Sequence, residues 1–316
     1  MKHVFLAGLL AALAVPAFGQ SDSPNDWLDR MASVVNTTDF EGTVLRSRDG
    51  QQQALKVTRR IIDGVVHEKL VSQEGNGLEI VRKGNEVYCI LPDKKSVLVE
   101  YWNDDVTLFS TLPSSELQFG SAYDLSVVRE ERVAGRSAIL LAVRPHDGYR
   151  YGHRIWLDQS TGFPLRTELV GGDGALLEQL KFADINLSPT ITAAALEPSF
   201  DLEGFTWYPE PVEGASEPVE SMWISDDLPP GFKLMSSTAE ALDDSGERVT
   251  HLMYSDGLAS ISVFIAAASG NTTRPQGALD GTSNSHSVTL DDVVVTAIGQ
   301  VPQATVRRVA ISVRSR

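Results

Sequence analysis

Residues 150–185 read RYGHRIWLDQSTGFPLRTELVGGDGALLEQLKFADI, and they decide the fold class. Ile155 and Leu157 alternate with Arg154 and Asp158. Leu165, Thr167 and Leu169 alternate with Arg166 and Glu168. Leu176, Leu180 and Phe182 are set among Glu178, Gln179 and Lys181. A period of two marks strands with one apolar and one wet face. The breaks agree. Asp158-Gln-Ser-Thr-Gly162 is a glycine-containing loop, and Gly171-Gly-Asp-Gly174 tolerates the positive φ of a tight hairpin. Three consecutive antiparallel strands follow.

Upstream, Phe40–Arg48, Gln51–Arg60, Val65–Gln73, Leu78–Lys83, Glu86–Leu91 and Ser96–Tyr101 continue the pattern. Asp49-Gly50, Asp63-Gly64, Gly75-Asn-Gly77, Gly84-Asn85 and Pro92-Asp93 separate them. These spacings are too short for βαβ crossovers and favour an up-and-down sheet. Val127–Val133 and Arg136–Pro145 flank Ala134-Gly135, giving about ten strands before residue 188; a sheet of that size curls and needs one face covered. Ser23–Val35 is read as an amphipathic helix with Asn25 as its N-cap; Trp27, Leu28, Met31, Val34 and Val35 form its stripe. Its expected place is the apolar face of the sheet. Between Trp102 and Ser126 the alternation lapses; in an open sheet such an insertion can close over the concave face, as a lid or as a fixed plug.

Residues 204–220, GFTWYPEPVEGASEPVE, hold three prolines, four glutamates and no basic residue, the composition of an extended linker. Beyond it, Met222–Ile224, Thr250–Tyr254, Leu258–Ala266, Val288–Leu290 and Val293–Ile298 read as strands. Pro302–Val313 reads as a closing helix, and Ser269–His286 as a polar, glycine-rich loop. The fold expected is α+β: a large N-terminal curled antiparallel half-barrel with covering helices, over 20–203, then the 204–220 linker and a smaller mixed α+β unit over 221–316.

At the N-terminus, Lys2 and His3 precede an apolar run from Val4 to Val15, and Ala17-Phe-Gly19 fits a small-x-small cleavage site. The run is too short for a membrane span. The expectation is a signal peptide over 1–19 and an exported, soluble product, periplasmic in a Gram-negative cell. Cys89 is the single cysteine, so no intramolecular disulfide forms, and its strand context predicts burial. The formal charge of −15 repels nucleic acid and anionic head groups, so apolar contact has to dominate any meeting with lipid, with local arginine as a helper.

No catalytic pattern emerges. His67, His146, His153, His251 and His286 include no HxH or HxxxH pair. A nucleophile elbow and a phosphate-binding glycine loop are both missing. Glu130-Glu131 and Asp291-Asp292 are strand neighbours that face opposite ways. The expectation is a binding protein, not an enzyme, with no metal and no cofactor. Val44, Leu55, Val57, Val87, Leu141, Val143, Ile155 and Leu157 are candidates to line an apolar groove, because a long curled sheet has few helical residues to cover it. Trp223, Tyr254 and Phe264 are candidate partner-binding aromatics in the second unit.

The strand ending Trp156-Leu157-Asp158, with Phe163-Pro164-Leu165-Arg166 after the turn, resembles the half-barrel of LolA/LppX-type lipoprotein carriers. Leu228-Pro-Pro-Gly-Phe232, and His251–Leu258 leading into Ser260–Phe264, extend the resemblance to the RseB/MucB family of envelope-stress regulators across nearly the whole mature chain. Residues 101–126 and 269–287 match weakly. The resemblance implies that the protein binds the periplasmic segment of a membrane anti-sigma factor of the RseA/MucA type. It implies shielding of that segment from proteolysis, with release by lipopolysaccharide or lipoprotein acyl chains. A lipoprotein or lipid carrier is the alternative. The sequence leaves homo-oligomerisation open.

Overall fold

The computed structural model describes residues 22–101, 122–209, 217–218, 220–241, 248–268 and 282–316. The signal-peptide expectation therefore lies outside the described residues, as do 102–121 of the expected cover and 269–281 of the expected loop.

Helix α1 is Pro24–Thr37. Its N-cap is Ser23, not Asn25: the Ser23 hydroxyl accepts from the Asp26 amide, and the Asp26 carboxylate accepts from the Ser23 amide. Proline at the first helical position gives up an amide that has no intrahelical acceptor there, so the helix starts two residues earlier than a cap at Asn25 requires. Trp27, Leu28, Met31 and Val35 are buried. Each contributes roughly 1.5–3 kcal/mol by leaving water.

The chain then runs through β1 Phe40–Arg48, β2 Gln51–Ile62, β3 Val65–Ser72, β4 Glu79–Lys83, β5 Glu86–Leu91 and β6 Ser96–Tyr101. After residues 102–121 come β7 Tyr123–Val133, β8 Arg136–Pro145, β9 Gly152–Asp158, β10 Pro164–Val170 and β11 Leu176–Asn186. The β7 strand begins four residues earlier than the alternation from Val127 indicates. With β12, Thr206–Pro209, these strands form one sheet of twelve in the order β12-β6-β5-β4-β3-β2-β1-β11-β10-β9-β8-β7. Two meanders are thus zipped together through the antiparallel pairing of β1 with β11. Asp49-Gly50, Asp63-Gly64 and Ala134-Gly135 all have positive φ at both positions, the geometry that matches a two-residue turn to strand twist. The β1/β11 zipper needs Gly42: a Cβ there would stand 2.5 Å from the Asp184 carbonyl oxygen, beside the bulge at Thr43/Val44.

Helix α1 covers the inner face of this sheet, where Phe40, Val44, Val57, Leu141, Val143, Ile155, Leu157, Phe163 and Phe182 join its buried stripe in the main core. Phe40, Phe163 and Phe182 meet with ring centroids 5.0, 5.8 and 6.0 Å apart, mostly edge-on. A different segment covers the outer face of β2–β5. Lys69 Nζ donates to the Glu197 carbonyl and to Ser199 Oγ, each at 2.7 Å, and the Ser199 amide donates to Glu79 Oε2 at 2.9 Å. Leu202 and Phe205 pack on Val81, Ile90 and Val97. That segment ends as β12, which pairs parallel to β6, and Trp207 meets Tyr88 edge-on.

Both ends of the stretch read as an extended linker are thus held in sheets, since β13, Glu217–Pro218, pairs with β15. The second unit continues through β14 Trp223–Ser225, β15 Lys233–Ala241, β16 Arg248–Ser255, β17 Ser260–Ala267, β18 Asn284–Leu290 and β19 Val293–Gly299. It closes with α2 Gln303–Ile311 and β20 Val313–Ser315. Its six-stranded sheet has the order β13-β15-β16-β17-β19-β18, and β14 pairs with β20. Val306, Val309 and Ala310 of α2 pack with Leu252, Tyr254, Ile261, Val263 and Val295 in a separate core.

Candidate functional site

The groove candidates are distributed unevenly. Val44, Val57, Leu141, Val143, Ile155 and Leu157 have no exposed surface and belong to the core beneath α1. Leu55 is half-buried at the margin of that core. Val87 is buried and lies outside it, paired across from Arg82. Along the inner face beyond Phe40 runs a row that alternation cannot flag as buried. Arg59, Glu68 and Arg82 sit opposite one another on β2, β3 and β4, and none exposes more than 2% of its surface. Arg82 Nε donates to the Gly84 carbonyl at 2.6 Å. The three Arg59 nitrogens have no hydrogen-bond partner among the described residues; its guanidinium stands 6.0 Å over the Phe40 ring. Burial pushes the Glu68 carboxyl above the usual range, against the pull of the flanking Arg59 and Arg82. Cys89, half-buried on the neighbouring strand, has its thiol pushed up to about 11 by desolvation, with Glu100 adding to it, so it is not a thiolate at neutral pH.

The two units meet at the β8–β9 connection. Arg150, with no exposed side-chain surface, donates to Asp147, to Asp256 Oδ2 at 2.5 Å and to the Pro230 carbonyl. Tyr123 donates to the same Asp256 oxygen at 2.8 Å. The Leu258 and Ala259 amides hold Asp256 Oδ1 at 3.0 and 2.8 Å. Phe232 and Tyr123 flank the guanidinium, 5.0 and 5.5 Å from its carbon. Around this hub Thr305 Oγ1 donates to the Tyr149 carbonyl at 2.8 Å, Arg308 stacks on the Tyr149 ring, and Asn284 Nδ2 donates to Tyr151 Oη at 3.0 Å. Sequence reasoning missed Arg150, Tyr123 and Asp256. Asp256 lies between β16 and β17, and nothing local signals that its carboxylate pairs 106 residues away.

The three aromatic candidates of the second unit do not converge. Tyr254 is buried in the core, where its hydroxyl accepts from the Ser225 amide at 3.0 Å. Trp223 is half-buried and packs against the same core. Phe264 points to the opposite face of the sheet, where its ring stacks on His251 at 4.4 Å. His251 Nε2 is buried there without a hydrogen-bond partner among the described residues, and burial holds this imidazole below its ordinary value. Met253 and Met235 are exposed nearby, on β16 and β15.

Comparison with known proteins settles the lineage. The MucB/RseB N-terminal domain model matches residues 23–200, and the MucB/RseB C-terminal domain model matches 217–314. The chain belongs to the MucB/RseB family. Within it, the sigma factor AlgU regulatory protein MucB of Pseudomonas aeruginosa is 34% identical over 320 residues, covering 99% of this chain and 98% of its own. The sigma-E factor regulatory protein RseB of Escherichia coli is 25% identical over 313 residues, covering 96% and 92%. A crystal structure of MucB in complex with MucA(peri) superposes with a TM-score of 0.69 at 32% identity, covering 93% of this chain and 99% of that one. The match to MucB/RseB proteins therefore takes in the half-barrel, the Arg150 junction and the second unit together.

Proposed function

We propose that this protein is a periplasmic negative regulator of an envelope-stress sigma factor, acting by binding the periplasmic segment of a membrane anti-sigma factor and shielding it from proteolysis. The observation that carries this is the whole-length match to a MucB structure solved with the periplasmic part of MucA. Two cores joined by a polar junction support the reading as a protein that captures its partner. Export fits the Val4–Val15 run and Ala17-Phe-Gly19, and no helix among the described residues is long and apolar enough to cross a membrane. In this reading 1–19 is removed, 20–203 is the half-barrel unit, 204–220 connects, and 221–316 contributes to partner binding.

The releasing ligand is a lipid or lipoprotein acyl chain on the inner face. Six of the eight candidate lining residues are sealed under α1 in the described state. A chain reaching them has to displace Trp27, Leu28 and Met31, and only a state that binds the anti-sigma segment less well couples such displacement to release. The test is a protection assay. The mature protein, at saturating concentration, is incubated with the anti-sigma periplasmic segment and the protease that cleaves it. Slowed cleavage, restored by an acylated peptide, is the expected result; cleavage at the unprotected rate defeats the reading.

A further inference from the structure

The outer face of β7–β10 holds an open cavity of about 400 Å³ that the proposed regulation does not use. Its floor is Leu140, Ala142 and Trp156, each only 3% exposed although they face away from α1. Its walls are charged. Arg129, Arg144, Arg154 and Arg166 rise from four successive strands, accompanied by two carboxylates, Glu131 and Glu168. Four positive charges against two negative leave a net +2, in a chain whose formal charge is −15.

The arginines are not equally committed. Arg166 is bonded to Glu168 and stacked 4.2 Å over the Trp156 ring. Arg129 lies on Glu131 at 2.5 Å, and Glu131 also accepts from the Trp156 indole at 2.7 Å. The other two have capacity to spare. Among the described residues Arg144 reaches the Ser126 hydroxyl alone, at 3.3 Å, and Arg154 is 3.4 Å from Glu168 Oε2, while Oε1 of that carboxylate takes Arg166 and Gln179. Both are exposed, and they stand on adjacent strands, since Arg154 is paired with Ala142, two residues from Arg144. The Trp156 indole N–H on the floor is taken by Glu131, so among the described lining residues the donors left for a polar ligand are guanidinium groups. Guanidinium forks match tetrahedral oxyanions with paired N–H donors.

We propose that this cavity binds a phosphate monoester, held chiefly by Arg144 and Arg154. The net +2 complements a group carrying close to two negative charges. The size fits one compact head, whereas an acidic peptide needs a long cationic track. The ligand chemistry is shared by soluble sugar or glycerol phosphates and by phosphomonoester lipid head groups. The proposal stands independently of the anti-sigma reading and of the inner-face groove.

The experiment uses the mature protein and two probes in low salt: glycerol 3-phosphate by calorimetry, and phosphatidylcholine vesicles carrying phosphatidic acid by co-sedimentation, with phosphatidylcholine alone as the blank. The variant is R144Q/R154Q. Arg132→Gln, an exposed arginine that donates to the Gly135 carbonyl at the hairpin tip, is the charge control. Because Arg144 and Arg154 are exposed, the double variant should unfold at an unchanged midpoint. Saturable binding of glycerol 3-phosphate, weakened at least about tenfold in R144Q/R154Q and unchanged in the control, supports the site and a soluble source. Binding to phosphatidic acid vesicles alone, lost in the same variant, supports the site and a head-group source. No saturable binding of either probe overturns the proposal, as does equal binding by variant and parent. A response to hexaglutamate without one to either phosphate also overturns it.

Discussion

Arg150→Met should loosen the union of the two units more than any other single change described here. Methionine keeps much of the aliphatic stem between Tyr123 and Phe232 but removes the charge. Asp256, whose side chain is 2% exposed, then keeps the Tyr123 hydroxyl and the Leu258 and Ala259 amides but loses its counter-ion. Breaking one side of a buried pair costs about 3–5 kcal/mol, because the remaining charge stays out of water. The surviving three donors offset part of that, so about 2–4 kcal/mol is expected. Asp256→Asn removes the orphaned charge, so the double variant should recover at least about 1 kcal/mol relative to the sum of the single changes. The assay is urea denaturation followed by two probes, one reporting the half-barrel and one the second unit. The parent should show coincident or closely spaced transitions, and Arg150→Met should separate them, with the second unit melting first. Coincident transitions shifted by less than about 0.5 kcal/mol would refute the assignment of this junction as the main coupling between units.

Three further outcomes are expected from the same structure. Gly42→Ala drives a methyl into the Asp184 carbonyl, so β1 and β11 must part locally; a loss of about 1–3 kcal/mol is expected in thermal or urea melts. Ser23→Ala deletes half of the α1 capping box and should lower stability by about 0.5–2 kcal/mol, with Asp26→Ala having a smaller effect in the same melts. His153 is lowered to about 4 by desolvation, against the opposing pull of Asp256. The unfolded chain therefore binds a proton near pH 6.5 that the folded chain refuses until about pH 4. Stability contributed by neutral His153 is complete above pH 6.5 and falls as pH drops towards 4; His153→Gln should flatten the stability profile across that window. A profile unchanged by the substitution would show that other groups set the slope.

Much of the fold was legible because hairpins declare themselves locally. Asp49-Gly50, Asp63-Gly64 and Ala134-Gly135 fix the turn, the turn fixes the register, and alternation then assigns faces. Periodicity also placed α1 on the sheet, since Trp27, Leu28, Met31 and Val35 have no other apolar surface to meet. The misplaced cap has a local cause: Asn25 and Ser23 are both capping residues, and Pro24 is the arbiter that points to Ser23. The parallel β12 was hidden because four residues beside prolines carry no strand period of their own. Charge hides the most: alternation gives no sign that Arg59, Glu68 and Arg82 face inward on β2–β4, where the ladder sets Glu68 between the two arginines. Arg150 and Asp256 are bland in their own neighbourhoods and gain meaning only from each other. The sequence-derived groove lining was a list of inward-facing positions, and alternation cannot distinguish a wall from a filled core. The helix that fills much of that space was itself in the reading, but its depth of insertion was not.

The pairing of β12 with the edge of the large sheet and of β13 with the small one has a mechanical corollary. Only residues 210–216 separate Pro209 from Glu217, a leash that cannot exceed roughly 28 Å at full stretch. Rupture of the Arg150 contacts thus leaves the second unit within reach of its seat, at an effective concentration in the millimolar range. A ligand that holds the units apart therefore has to outcompete a tethered seat that never diffuses away.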